Sequence, residues 1–263
     1  MKGRIVLGAW VTFVLLFLYI PMAIIALYAF NSSNVQGWPI AGLTTKWFGP
    51  AWHDQELRDA LTLSFKAALG ATAAALLLGS MAAFAVHRFH FFGREAISFA
   101  LVLPLALPGI ITGMALNSFF AFNSVNFSLT TIVIGHATFC IVVVYNNVIA
   151  RLRRTQTSLI EASMDLGADG WQTFRAITLP TISTALVAGG LLAFALSFDE
   201  VIVTTFTAGA QNTLPLWIFQ QLKLPNQAPQ VNVVAVSVIV LTFIPVLLAQ
   251  RLMRNDPAGI GGR

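Results

Sequence analysis

Charge is scarce in this chain. Only 10% of its 263 residues are Asp, Glu, Lys or Arg, where an ordinary soluble domain carries about a quarter, so a water-facing globular surface is excluded. Cysteine is scarcer still: Cys140 stands alone, which rules out an intramolecular disulfide and any cysteine-built metal cluster. Also missing are the G-x-x-x-x-G-K-[ST] phosphate cradle, the H-E-x-x-H zinc helix and the G-x-S-x-G nucleophile elbow. The residues therefore offer no frame for nucleotide hydrolysis or for the metalloprotease and hydrolase chemistry those motifs carry.

What is present is apolar: 57% of residues are hydrophobic and the mean hydropathy is +0.79. They gather into six runs, near residues 5–30, 60–86, 96–121, 129–150, 181–203 and 231–250. Each is long enough to cross a hydrocarbon core of about 30 Å as a helix of about 20 residues. The expected fold class is an all-α integral membrane protein with six transmembrane helices in one domain spanning 1–263. The first run follows Lys2 and Arg4 but outlasts the roughly 7–15 apolar residues of a signal peptide, so an uncleaved helix is expected.

A net charge of +5 raises the question of nucleic acid, yet the basic residues sit at the ends of apolar runs, where the positive-inside rule puts them. With a cytoplasmic N-terminus, that side holds Lys2, Arg4, Arg88, Arg94, Arg151, Arg153, Arg154, Arg175, Arg251, Arg254 and Arg263. The other side holds chiefly Lys46, Arg58 and Lys223. Both termini are then cytoplasmic, and the partner is a lipid bilayer rather than nucleic acid.

Small residues recur in run two (Gly70, Ala74, Gly79, Ala83) and in run three (Gly109, Gly113), spacings that let helices approach closely in lipid. Run three also contains Pro104 and Pro108. Two readings stand on these residues alone: a kinked helix beside a pathway, or prolines tolerated because neighbours satisfy the freed carbonyls. The link over 31–59 mixes turn residues with Trp38, Trp47 and Trp52 and reads as an external loop skirting the membrane surface. The segment Leu214 to Pro225 reads as an external interfacial helix, either a bilayer anchor or a contact for a solute-binding protein. His87, His90 and His136 are too scattered for a metal site; His136 is expected to hydrogen-bond a neighbouring helix.

After run four and the basic stop Arg151 to Arg154, residues 155–180 read as two short capped helices. Ser158 with Glu161 fits a capping box, Gly167 suits a left-handed helix end, and Asp169 with Gln172 repeats the box, after which Pro180 opens run five. The first helix would display Leu159, Ala162, Met164 and Leu166 beside Glu161 and Asp165. That is either a docking element or a surface helix covering its own bundle.

The pattern Glu161, Ala162, Ser163, Gly167, Ile177, Leu179 and Pro180 resembles the EAA loop of permeases in binding-protein-dependent ABC importers, with Ser163 where alanine is usual. The resemblance extends to Leu103–Leu116, Val148–Pro180, Leu192–Gly209 and Thr213–Phe219, and is nearest to the second permease of the spermidine/putrescine branch. It implies a type I ABC importer permease fold in the bacterial inner membrane. It also implies a second permease chain, more in keeping with a heterodimer, a dimer of ATP-binding subunits and an extracytoplasmic solute-binding protein. No cofactor is implied for this chain; ATP and Mg belong to the ATPase subunits. Glu161, Ala162, Ser163, Asp165, Leu166 and Gly167 are then the coupling contact. Other branches carry aminophosphonate, iron, sulfate or thiamine.

Asp199 and Glu200 are the acidic pair at an apolar run, and ionisable groups at membrane depth are costly enough to point to function. Counted from Pro180, Asp199 lies about 28 Å along run five at 1.5 Å per residue, towards its outer end. With Ser197 and Thr204 the pair forms the candidate substrate pathway, suited to a cationic polyamine. The competing reading is that one of the pair caps a helix or bridges to Lys66. A gradient-driven carrier would also use such acids, but it has no ATPase to dock.

Overall fold

The computed structural model describes residues 2–224 and 226–254, with side chains for 3–224 and 226–241. Pro225 and Arg263, and the side chains of Lys2, Arg251 and Arg254, lie outside the described residues. Among the described residues the chain is helical apart from its loops and one isolated antiparallel bridge between Asn31 and Leu43. A helix bonds its own backbone, which is what hydrocarbon surroundings demand.

The elements in order are α1 (Lys2–Ala29), α2 (Phe48–His53), α3 (Gln55–Arg88), α4 (Arg94–Ala106), α5 (Gly109–Phe122), α6 (Leu129–Leu152) and α7 (Thr157–Asp165). There follow α8 (Gly170–Thr173), a π-helical turn (Phe174–Thr178), α9 (Leu179–Phe198), α10 (Ile202–Thr207), α11 (Leu214–Gln221) and α12 (Ala228–Arg254). Among the described residues, four stretches are long and apolar enough to cross a membrane: Gly3–Ala29, Gln55–Arg88, Leu129–Leu152 and Gly170–Phe198. The pair α4 and α5 qualifies together as a broken span, which makes five.

Run three, expected as one helix near 96–121, is two helices bent by 104°. Pro108 causes the break. It has no N–H and disfavours helical backbone in the residue before it, and Leu107 is accordingly extended, with φ −80° and ψ 139°. Pro108 then opens α5, its carbonyl accepting from Ile111 N at 2.9 Å. Pro104 stays inside α4.

Run five also departs from expectation at both ends. Pro180 does not open it: the helix runs unbroken from Gly170 to Phe198. The turn before the proline widens to π geometry, where Leu179 N bonds Phe174 O, and Thr181 Oγ1 donates to Ile177 O at 2.6 Å. Such a bulge re-houses carbonyls that a proline cannot serve. At the far end the helix stops at Phe198 instead of continuing to 203, and after a break at 199–201 the short α10 begins.

Contacts between Cα atoms group the chain into two compact units. One comprises the residues up to Arg58 and those from Ile218 on. There α1 packs on α12, and Gln230 Nε2 of α12 donates to Asp54 Oδ2 beside α2 at 2.8 Å. Within its loop, Trp47 Nε1 donates to the carbonyl of buried Asn31 at 2.8 Å, while Trp38 and Trp52 stay exposed.

The other unit, Asp59–Trp217, is built on α3, α6 and α9. Ala71, Ala75, Gly79 and Ala83 of α3 are buried beside Val144, Tyr145 and Val148 of α6. At Gly79 an added Cβ would stand 2.8 Å from Ile141 O and 3.1 Å from Val144 Cβ. Only a residue without a side chain lets the two backbones meet there. Gly113 of α5 instead leaves room for a ring of α10, since a Cβ there would fall 2.6 Å from Phe206 Cδ2.

Candidate functional site

The helix α7 is exposed along its length, with no buried residue. Leu159 and Met164, and Leu166 just beyond the last turn at 89% exposure, point away from the rest of the chain beside exposed Glu161, Ala162 and Asp165. The capping box expected from Ser158 and Glu161 does not form. The helix starts two residues earlier, at Thr157, with Gln156 as N-cap and no side-chain cap, so Ser158 sits in the second helical position, where it cannot serve as cap.

The other local signals appear as atoms. Gly167 has φ +85°; its N–H bonds Met164 O at 2.9 Å, and Ala168 N bonds Ser163 O at 3.1 Å. This pair of bonds is the Schellman stop. Nothing lies within 4 Å of a Cβ added at Gly167, so the backbone conformation, not space, requires glycine. Asp169 and Gln172 close their box, Gln172 N donating to Asp169 Oδ1 at 2.7 Å and Asp169 N to Gln172 Oε1 at 2.9 Å.

One hydrogen bond ties this exposed helix to the long ones, and an aromatic stack ties the foot of the Gly170–Phe198 helix to α3. Ser163 Oγ meets Thr173 Oγ1 at 3.1 Å, joining α7 to the root of the Gly170–Phe198 helix. Trp171 stacks on Phe174, 5.7 Å between centroids, and Phe174 meets Phe84 of α3 edge-on, also at 5.7 Å. A push on α7 therefore has packed side chains to travel through.

The second locality is the break after α9. Asp199 is exposed, closes α9 through its N–H to Ala195 O at 3.1 Å, and its carboxylate has no partner among the described residues, Lys66 included. Glu200 caps instead: its Oε1 accepts from Val203 N at 2.9 Å. The break also separates the two carboxylates from the single helix on which they were expected. Ser197 and Thr204, the other candidates, are buried and turned to the same partner. His136 Nδ1 lies 2.8 Å from Ser197 Oγ, and His136 Nε2 lies 2.8 Å from Thr204 Oγ1. The hydrogen-bonding role expected of His136 is thus met twice over.

Sequence reasoning missed the hold on α10: Asn117 Nδ2 donates to Phe206 O and Thr131 Oγ1 to Thr207 O, each at 2.7 Å. Nothing in the spacing of Asn117 or Thr131 announces these contacts, which join residues 89 and 76 positions apart. The helix α11 (Leu214–Gln221) lies within the segment expected as an external anchor or binding-protein contact, and its first turn is buried. Leu214, Leu216 and Trp217 are buried and Ser64 Oγ accepts from Leu214 N at 2.7 Å, while Phe219, Leu222 and Leu224 stay exposed.

Comparison with known proteins accords with this architecture. The model of the family described as binding-protein-dependent transport system inner membrane component matches residues 75–255. The chain is 33% identical over 263 residues to the spermidine/putrescine transport system permease protein PotC of Shigella flexneri, covering 100% of this chain and 99% of the relative. It is 36% identical over 246 residues to the putrescine transport system permease protein PotI of Escherichia coli (strain K12), covering 90% of this chain and 86% of the relative. A chain from the crystal structure of a bacterial ABC transporter involved in the import of the acidic polysaccharide alginate shares the fold, with TM-score 0.72 and 16% identity, over 98% of this chain and 97% of that one. This chain belongs to the family of binding-protein-dependent transport system inner membrane components, and is a permease subunit of an ABC transporter.

Proposed function

We propose that this permease lines one half of a pathway that admits polyamines across the bacterial inner membrane, and that a separate subunit hydrolyses the ATP. In this reading α1, α3, the bent pair α4 and α5, α6, the Gly170–Phe198 helix and α12 are the six spans, and both termini are cytoplasmic. A second, non-identical permease chain completes the pore, and an extracytoplasmic solute-binding protein delivers the substrate. This chain itself carries no catalytic group and no cofactor.

The observation that carries the proposal is the exposure of α7. Leu159, Met164 and Leu166 are exposed while Ser163 ties the helix to the foot of the Gly170–Phe198 helix, itself packed on α3 through Phe174 and Phe84, which is the form of a lever with a free end. Glu161, Ala162, Ser163, Asp165, Leu166 and Gly167 form the contact with the ATPase subunit. The substrate assignment is supported by the names of the full-length relatives and by the unpartnered carboxylate of Asp199, which can replace part of the hydration an ammonium group sheds. Ser197, Glu200 and Thr204 support Asp199 from inside the fold.

A cysteine placed at Leu166 tests the docking. It is expected to cross-link to the ATPase subunit of the assembled complex, and the permease alone is expected to carry out no uptake. Uptake by the permease without an ATPase would convert the reading to a gradient-driven carrier.

A further inference from the structure

The pieces of the chain on either side of the Asp199 break are held by one side chain from a third helix. His136 of α6 is fully buried, with a relative exposure of 0%. One ring nitrogen meets Ser197 in the last turn of α9 and the other meets Thr204 in the first turn of α10, both at 2.8 Å. The residues between, Asp199 to Val201, are the break itself.

Proton counting fixes the direction of the Thr204 bond. A threonine hydroxyl has one proton, and that of Thr204 goes to Glu200 O at 2.7 Å. Thr204 Oγ1 must therefore accept from His136 Nε2–H; in a neutral ring Nδ1 is then the acceptor, receiving the Ser197 hydroxyl. The relay runs from Ser197 O–H to Nδ1, from Nε2–H to Thr204 Oγ1, and from Thr204 O–H to the Glu200 carbonyl. Every link has a donor and an acceptor, and the relay ends on the backbone next to Asp199.

We propose that His136 is a positioning residue for the substrate pathway: a neutral imidazole that staples α9 to α10 and fixes where the Asp199 carboxylate is presented. The assignment to a pathway rests on the function proposed above; the staple does not. Asn117 and Thr131 hold the far end of α10, and His136 holds its first turn against the last turn of α9. With the staple intact the break has one geometry, and Asp199 is displayed at a set place without touching His136. Glutamine, which carries both a donor and an acceptor, keeps part of the relay, and leucine keeps none.

The test uses the assembled complex with Cys140→Ser and Val201→Cys, so that a maleimide reads the break directly. Adding His136→Leu is expected to raise the labelling rate about tenfold, the scale of losing a buried hydrogen-bond pair, and His136→Gln by no more than about threefold. In the complex with the native Val201, His136→Leu is expected to raise the uptake KM for putrescine while ATPase stimulation by the binding protein persists. Equal labelling of the His136 and His136→Leu proteins would overturn the staple. Faster labelling with an unchanged KM would keep the staple and overturn its role in the pathway. Absence of putrescine uptake by the parent would strike the substrate reading and leave the labelling result standing. Should His136→Leu not assemble, Ser197→Ala removes one link and is read by the same two outcomes.

Discussion

Ser163 Oγ of α7 and Thr173 Oγ1 of α8 lie 3.1 Å apart, with Thr173 buried. Ser163 stands at the position where the EAA pattern usually has alanine, and here its hydroxyl does something an alanine cannot: it pins the outward-facing helix to the foot of the helix that ends at Asp199. The Ser163→Ala variant should lose about 1 kcal/mol of that link. We expect unchanged ATP hydrolysis with about two- to fivefold less substrate moved per ATP, measured by paired uptake and phosphate-release assays. An unchanged ratio would show that the movement does not pass through this hydrogen bond.

Gly167 supplies a test that separates conformation from bulk. Its surroundings are open, so Gly167→Val should fail because of φ +85°, at about 1–2 kcal/mol. Gly167→Asn, whose side chain tolerates that region better, should retain most function. Co-purification of the ATPase subunit should drop for valine and hold for asparagine. Equal retention by both would mean that the stop of α7 does not shape the docking face.

Gly79 makes the opposite case, because there space decides. Its position against Ile141 O and Val144 leaves Gly79→Leu no room, and overpacking of this kind costs about 1–3 kcal/mol. Thermal unfolding in detergent should shift downward, while Leu77→Ala, at an exposed position of the same helix, should change it little. Equal shifts would place the close α3–α6 approach in doubt.

The sequence was most legible where local chemistry decides. Apolar runs predicted the helices, Gly167 and the Asp169–Gln172 box appeared as expected, and the small residues of run two marked a close helix face. It failed where a local signal competes with a neighbour. Pro180 reads as a helix start, but a π turn absorbs it; Ser158 reads as a cap, but the helix begins at Thr157. The end of run five was invisible because Asp199 to Val201 continue an apolar-flanked run, and the helix stops there while α10 is held by contacts from α5 and α6. Ser197 and Thr204 were found as polar residues near membrane depth, but their shared partner lies more than 60 residues away, at separations of 61 and 68. No spacing rule spans that distance.

The most direct test of the central claim is uptake of radiolabelled putrescine and spermidine into vesicles holding the assembled complex with its binding protein, with and without ATP. Asp199→Asn is measured alongside. We predict ATP-dependent uptake whose KM rises about two- to fivefold in the variant, the scale of one solvent-accessible ion pair. A complex whose ATPase is stimulated by its binding protein, yet which moves neither polyamine, would contradict the substrate assignment.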